Sequence, residues 1–317
     1  MKYEFIGLHQ KEYPVGLACR TLGVSVSGYY AWRKRQPSAR AVANEGVQAQ
    51  LVQIYAQSRG TYGSPRLTAA LRQAGVRCSR KRVMRLMRRA GIAARTRRRH
   101  VRTTVSDASL PVASNHLNRD FHAEAPNQKW LSDITYIATQ EGWLYLAVVL
   151  DLYARKVVGW AMDTHMQSTL VERAFTMARE HRLPDPNLLF HSDRGSQYTA
   201  LAFQSTLTSA RMQVSMSRKG NCWDNAPMES FFGTLKTECA DHLFASHRDA
   251  RTTIFAYMET WYNRHRLHST NGYLSPLAKE LAFWHDYGND LLKGARTTAT
   301  ATATATVTAT ATVTATA

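Results

Sequence analysis

The sequence predicts an α/β protein in which a mixed five-stranded sheet carries helices on both faces and follows an all-helical region. Three observations predict this class. Helical periodicities fill roughly the first hundred residues, β-rich and helical segments follow one another after about residue 128, and the excess basic charge lies in the helical part. A chain of 317 residues is long enough for both parts.

The net charge of +18 is unevenly distributed along the chain. Residues 1–102 hold 22 of the 41 basic residues but only three of the 23 acidic ones. This asymmetry predicts a polyanionic partner, with nucleic acid ahead of an anionic membrane. The sequence shows no apolar run near the roughly 18 residues of a membrane span, and its four cysteines form no C-x-x-C pair. We therefore expect a cytoplasmic, nucleoid-associated protein with no membrane partner and no structural zinc.

Residues 1–40 predict a first helix-turn-helix-like segment. An apolar helical face ends at Gly23, and Ser25 or Ser27 can cap the helix that follows. The alternative for this segment is a two-helix packing motif without a role in DNA binding.

Residues 41–102 predict a basic helix-turn-helix DNA-binding domain. Its helices are expected at 44–57, 64–73 and 80–90, with Ser79 capping the last. The last helix carries no acid around its apolar stripe, whereas a merely solvated face normally mixes both signs, so we expect it to contact DNA phosphates. The candidate DNA-binding residues of this domain are Arg66, Arg80, Lys81, Arg82, Arg85, Arg88 and Arg89.

The element order after this domain predicts the second part of the fold. Residues 103–127 are polar and are expected to form a linker. Three antiparallel strands, then helix, strand, helix, strand and helix, are expected within residues 128–285, together with a C-terminal helix at 248–265. This is the order of a ribonuclease-H-like fold. Residues 297–317 contain only Thr, Ala and Val and form a low-complexity tail without an assigned function.

Three carboxylates occupy positions that such a fold would bring together. Asp133 lies in an apolar, β-branched strand, where an unpaired charge costs several kcal/mol. Asp193 ends a strand, and Glu229 begins a helix after 35 intervening residues. Carboxylates from separate elements can hold two Mg²⁺ or Mn²⁺ ions roughly 4 Å apart for phosphodiester chemistry. Each acid alone is more often a solvated or salt-bridged side chain, so the prediction depends on all three.

Lys236 extends this candidate site. Glu229, Gly233 and Lys236 fall at i, i+4 and i+7 and therefore share one helical face. A carboxylate, a glycine and a cation in a row predict close approach of a DNA backbone.

Several motifs of the second part resemble the integrase catalytic core of bacterial insertion-sequence transposases of the OrfB type, in the retroviral-integrase superfamily. They are W-L-S-D-I-T-Y, H-S-D-R-G-S-Q-Y, S-R-K-G-N-C-W-D-N-A-P-M-E-S-F-F-G-T-L-K and W-Y-N-R-H-R-L-H-S-T-N-G-Y-L-S-P, between residues 128 and 276. Residues 44–100, with Y-G-S-P-R and S-R-K-R-V-M-R-L-M, resemble the helix-turn-helix segment of the same family. The Thr/Ala tail matches no family feature.

The resemblance implies an enzyme that binds terminal inverted repeats, nicks DNA to free a 3′-OH and joins that end to target DNA. It implies Asp133, Asp193 and Glu229 as the catalytic, metal-binding triad and Lys236 as a DNA contact. It also implies a homo-oligomer on double-stranded DNA, and an upstream-frame protein as a partner or fusion. Two alternatives stay open: a repressor or inactive transposase that uses only the N-terminal helices, and a nuclease of the same fold that cleaves without joining.

Overall fold

The computed structural model describes residues 1–95, 113–218 and 222–288. The low-complexity tail at 297–317 lies outside the described residues, as does the first part of the expected linker. None of the described helices is long and apolar enough to cross a membrane.

The first 95 residues are helical. Their helices are α1 (Lys2–Leu8), α2 (Val15–Thr21), α3 (Val26–Lys34), α4 (Ala39–Gln57), α5 (Ser64–Gln73) and α6 (Arg80–Arg89). Ser79 caps α6 as predicted, and Ser25, one of the two predicted candidates, caps α3; each accepts a hydrogen bond from the backbone N–H three residues later. Helix α4 begins five residues earlier than expected because the Ser38 hydroxyl accepts from Ala41 N at 3.2 Å. The sequence reasoning missed α1.

Helices α4, α5 and α6 pack around one core, which Leu267 from the C-terminal part of the chain also joins. Leu51, Leu67, Leu71 and Val83 are fully buried within it. The three apolar faces were the signal that predicted these helices, and their packing buries those faces together.

The second part contains the mixed sheet. Its strands are β1 (Lys129–Thr139), β2 (Gly142–Asp151), β3 (Lys156–Asp163), β4 (Leu189–Ser192) and β5 (Gln213–Met216). They lie in the order β3-β2-β1-β4-β5, with β1, β2 and β3 antiparallel and with β4 and β5 parallel to β1. The predicted fold class is confirmed.

Helices cover both faces of this sheet. On one face lie α7 (Ser168–Arg182), α8 (Ser196–Thr199) and α9 (Leu201–Ser209), and on the other α10 (Ala226–Glu238) and α11 (His247–Ala256). Strand β2 is buried on both sides because Leu146 and Val148 face α10, whereas Ala147 and Val149 face α7.

The chain after α11 departs from a single long helix. The helix expected at 248–265 ends as an α-helix at Ala256 and continues as a π-helical turn, Tyr257–Tyr262. A short 3₁₀ turn (Ser269–Asn271) and a helix over residues 276–288 follow.

Residues 113–127, expected to belong to a linker, pack against the sheet. Leu117 and Ala123 are buried in the core on the α10 side. The Ser215 hydroxyl of β5 accepts from the backbone N–H groups of His116 and Leu117 at 2.9 and 3.1 Å. This described part of the stretch is therefore integral to the part of the chain that contains the sheet. Its polar composition hid the few apolar residues that anchor it.

Candidate active site

Asp133 and Asp193 are brought together by the pairing of two parallel strands. Strand β4 pairs with β1 in the register that sets Leu131 opposite His191. Asp133 lies two residues after Leu131 within β1, and Asp193 lies two residues after His191, directly past the carboxyl end of β4. In α/β folds, ligand sites cluster at the carboxyl ends of strands, so this edge is where chemistry is expected.

Local hydrogen bonds orient the two aspartates. Asp133 Oδ1 accepts from Ile134 N at 2.8 Å, and Asp193 Oδ1 accepts from Gly195 N at 2.9 Å. The second contact tightens the turn between β4 and α8. Tyr198 of α8 then hydrogen bonds to Ser132 of β1 at 2.9 Å, which ties this turn to the strand that carries Asp133.

Helix α10 presents Glu229 and Lys236. Its buried residues Met228, Phe232 and Leu235 pack in the core against the sheet. Glu229 lies in the first turn and is exposed, and the Lys236 ammonium lies 4.5 Å from the centroid of the Tyr136 ring on β1.

Gly233, expected to face DNA beside Glu229 and Lys236, is buried instead. The structure therefore brings the carboxylate and the cation together on one helix, and it places the glycine within the protein core.

The charges of the site act on one another. Burial raises the pKa of Asp133 well above its usual value, and the charges of Asp193 and Glu229 raise it further, whereas the backbone N–H of Ile134 and the charge of Lys236 lower it. Burial likewise raises the pKa of Asp193, against the hydrogen bond from Gly195. The negative charges of Asp193 and Glu229 thus both oppose ionisation of Asp133, and a bound cation would offset them.

The donor set fits a hard divalent cation. Carboxylate oxygens are the ligands that Mg²⁺ prefers, and the mutual repulsion around Asp133 is what a bound cation would relieve. In the described part of the chain, no group of three acidic, histidine or cysteine side chains is already arranged to hold an ion. Asp133 and Asp193 are therefore the two side chains of the site whose chemistry fits such an ion.

Asp224 precedes α10 and is a residue whose structural role the sequence did not reveal. The N-cap of α10 is Asn225, whose side chain makes no capping hydrogen bond. The Asp224 side chain is fully buried and accepts from Arg218 (N, Nε and Nη2), Arg119 Nε and Asn115 Nδ2 at 2.8–3.0 Å. The hydrogen bonds from Arg218 hold the pKa of Asp224 well below its usual range.

These contacts tie two other chain segments, one with Asn115 and Arg119 and one with Arg218, to the start of α10, five residues before Glu229. No sequence signal pairs Asp224 with Arg119, since 105 positions separate them.

His191, unlike the acids near it, is fully buried and carries no charge near pH 7. Its ring is buried between the hydroxyls of Ser215 and Ser217, at 2.9 and 3.1 Å. Burial lowers the pKa of His191 to about 4, so the ring is neutral near pH 7. It contributes shape and hydrogen bonding behind Asp193 and adds no positive charge.

The candidate DNA-binding residues of α6 divide by exposure. Arg80, Lys81, Arg85, Arg88 and Arg89 are exposed, and the stripe formed by Val83, Leu86 and Met87 is buried beneath them. Arg82 is half-buried and donates to Asn44 Oδ1 at 2.9 Å.

Arg66, also predicted as a DNA-binding residue, contacts the C-terminal part of the chain. It is half-buried, its Nε donates to the Leu267 carbonyl at 2.9 Å, and its guanidinium lies over the Tyr62 ring. The structure therefore gives Arg66 a contact with the C-terminal part of the chain, because α5 docks there.

Three family models match the chain. An integrase core domain matches residues 123–222, a second integrase core domain matches 210–276, and an HTH-like domain matches 43–100. Among solved structures, the chain resembles the simian T-cell lymphotropic virus intasome in complex with PP2A regulatory subunit B56 gamma (17% identity, TM-score 0.43, 67% of this chain and 70% of that chain). It also resembles the HTLV-2 integrase catalytic core domain in complex with magnesium (17% identity, TM-score 0.38, 49% of this chain and 97% of that chain).

The curated relatives extend over nearly the whole chain. Transposase InsF for insertion sequence IS3A of Escherichia coli (strain K12) is 43% identical over 280 residues, covering 87% of this chain and 97% of the relative. The insertion element IS600 uncharacterized 31 kDa protein of Shigella sonnei is 44% identical over 261 residues, covering 82% and 96%. The resemblance seen in the sequence motifs is confirmed. This protein belongs to the family of insertion-sequence transposases that includes InsF of IS3, which are polynucleotidyl transferases.

Proposed function

We propose that this transposase binds the terminal inverted repeats of its element through α6 and cuts and joins DNA strands at Asp133, Asp193 and Glu229. The observation that carries the proposal is that the register of β1 and β4 brings Asp133 and Asp193 to the same edge of the sheet, where the charges of Asp193 and Glu229 act on the half-buried carboxyl of Asp133. Perturbed acids of this kind concentrate at functional sites.

Asp133 and Asp193 are the residues that would hold the metal, and Glu229 would complete the set from α10. Bound Mg²⁺ or Mn²⁺, as two ions, would supply an activated attacking oxygen and stabilise the departing oxygen of the phosphodiester. The chain itself contributes orientation: the Ile134 and Gly195 N–H groups orient the two aspartates, and Asp224 fixes the loop that leads into α10.

Lys236 is proposed to contact a DNA phosphate beside the triad. It lies two turns after Glu229 on α10, and its charge already acts on Asp133. An ammonium on this helix can neutralise a backbone phosphate while the metal site remains intact.

Helix α6 is proposed to lie against the duplex. Its exposed Lys81, Arg85, Arg88 and Arg89 present positive charge without an acid in the helix. Each phosphate contact of this type contributes affinity that falls with salt, so binding is expected to weaken steeply as ionic strength rises.

Because an element has two ends, we further propose a homo-oligomer on the DNA, with the upstream-frame protein as a partner or fusion. DNA as the substrate also implies a cytoplasmic, nucleoid-associated location.

The test uses duplex oligonucleotides that carry the ends of the element. With Mg²⁺, the wild-type protein is expected to produce nicked strands with a 3′-OH and products joined to a target duplex. Asp193→Asn is expected to lower cleavage at least about 100-fold, because it removes a charged ligand from the site, while end binding stays within about twofold. Asp163→Asn is the matched control, since Asp163 pairs with Arg173 at the end of β3 and outside the site.

Three outcomes separate the candidate functions. Cleavage that survives Asp193→Asn contradicts the proposed site. Repeat binding without metal-dependent cleavage by the wild-type protein indicates a repressor or an inactive transposase. Cleavage without joined product indicates a nuclease of the same fold.

A further inference from the structure

Residues 257–273 contact three parts of the protein at once. They contain the motif W-Y-N-R-H-R-L-H-S-T-N-G-Y at 261–273, to which the proposed function gives no role. We call this stretch the coupling segment.

Two buried asparagines fix the coupling segment to the edge of the sheet. Asn263 Oδ1 accepts from Val157 N at 3.0 Å, and its Nδ2 donates to Val157 O at 2.9 Å. Asn271 Nδ2 donates to Ala154 O at 2.7 Å. The Asn263 amide thus satisfies both backbone groups of a residue in edge strand β3, as a further strand would.

A buried ion pair fixes the same segment to α10. Arg266 donates from Nε to Glu238 Oε2 at 2.8 Å and from Nη2 to Glu238 Oε1 at 2.7 Å, and the Tyr257 hydroxyl donates to Glu238 Oε2 at 3.0 Å. The two charged side chains are only 3% and 6% exposed. Glu238 is the last residue of the helix that carries Glu229 and Lys236, so this contact restrains the rotation and axial position of that helix.

The residue next to Arg266 fixes the segment to the helical domain. Leu267 N donates to the Tyr62 hydroxyl at 2.7 Å, and Leu267 O accepts from Arg66 Nε at 2.9 Å. Gln73 Nε2 donates to Tyr273 O at 3.0 Å, and the Leu267 side chain is buried in the core of α4–α6. Adjacent residues therefore connect the catalytic helix and the DNA-binding helices.

We propose that the coupling segment holds α6 at a set position relative to α10, and that Tyr62 and Arg66 act as positioning residues which select the phosphodiester that reaches the carboxylates. The inference rests on the proposed function, because it concerns where the same site cuts. Successive phosphates of one strand are separated by about 3.4 Å along the axis of the duplex. A displacement of about 1 Å can cost on the order of 100-fold in rate. A loose connection between α6 and α10 would therefore slow cleavage and would let the site cut at more than one phosphodiester.

The test compares two tyrosine hydroxyls in the full-length protein. Tyr62→Phe, alone and combined with Arg66→Ala, removes contacts to Leu267. Tyr55→Phe is the matched control, because the Tyr55 hydroxyl donates to Ala93 O at 2.8 Å within the helical domain. For the double variant we expect affinity for an end duplex within about threefold of wild type, and cleavage at saturating DNA at least about tenfold slower, with additional cuts at neighbouring phosphates. Tyr55→Phe is expected to keep the wild-type rate and cut position.

A second measurement does not depend on catalysis. Hydrogen exchange of the Leu267 amide, in protein without DNA or metal, is expected to accelerate at least about tenfold in Tyr62→Phe and to stay unchanged in Tyr55→Phe. Unchanged exchange in Tyr62→Phe overturns the coupling itself. A single cut at the wild-type rate in the double variant, or a loss of cleavage that only follows a loss of affinity, overturns the positioning role. Failure of the wild-type protein to cleave its ends refutes the proposed function, and the exchange result then still decides whether the coupling exists.

Discussion

Replacing Glu238 by glutamine tests how strongly the end of α10 is held. Glutamine keeps the shape of the side chain but removes the charge that faces Arg266. The Arg266 side chain, only 3% exposed, then remains as a buried cation beside an amide. Breaking a buried ion pair by removing one partner costs about 3–5 kcal/mol in the free energy of unfolding. At about 2–4 °C for each kcal/mol, the melting temperature is expected to fall by roughly 6–20 °C.

The assay is urea and thermal unfolding followed by tryptophan fluorescence. Asp241→Asn is the matched carboxylate-to-amide control, because Asp241 pairs with Arg95 at 3.4 Å where both side chains are about half exposed. Such a pair contributes at most about 1 kcal/mol. The double variant Glu238→Leu, Arg266→Met is expected to regain most of the lost stability, since it leaves no unpaired charge in the core. The reasoning is refuted if Glu238→Gln lowers the free energy of unfolding no more than Asp241→Asn does.

Two further predictions concern close packing and pH. Gly159→Ala places a Cβ 2.2 Å from Ala174 O, so α7 has to shift, and the free energy of unfolding is expected to fall by about 1–3 kcal/mol or more. Gly46→Ala is the control, because Gly46 lies in a helix with open space around it. This substitution is expected to raise the free energy of unfolding by about 0.5–1 kcal/mol. Because the folded pKa of Asp133 is raised, its contribution to stability in EDTA is largest at low pH and is lost as pH rises through that pKa. Urea midpoints between about pH 4 and pH 7 are therefore expected to depend less on pH in Asp133→Asn than in wild type, and equal pH slopes would contradict the raised pKa.

Much of the fold and of the candidate site could be predicted from local sequence patterns. Helix starts were found at Ser25 and Ser79 because a cap bonds to a backbone N–H only three residues away. The strands of the sheet were found because β-branched and aromatic residues cluster between turn residues. Asp133 and Asp193 stood out as charges at the apolar strands β1 and β4, and the structure makes them neighbours through the register of those strands.

Contacts between distant segments were not accessible in this way. Arg66, predicted as a DNA-binding residue, donates to Leu267, 201 positions away. Asp224 is held by Arg119 across 105 positions. The helix expected through residue 265 gives way to a π-helical turn at Tyr257, where the chain carries the contacts to Glu238.

The sequence by itself determined the class of fold and predicted the three acids and the basic helix, because each is encoded by residue type and short-range spacing. The tertiary structure alone decided that Gly233 is buried, that Arg66 lies in an interdomain contact and that Asp224 and Arg266 fix the two ends of α10. Such contacts join residues from distant segments, and they exist only after strand register and helix packing have set those segments side by side.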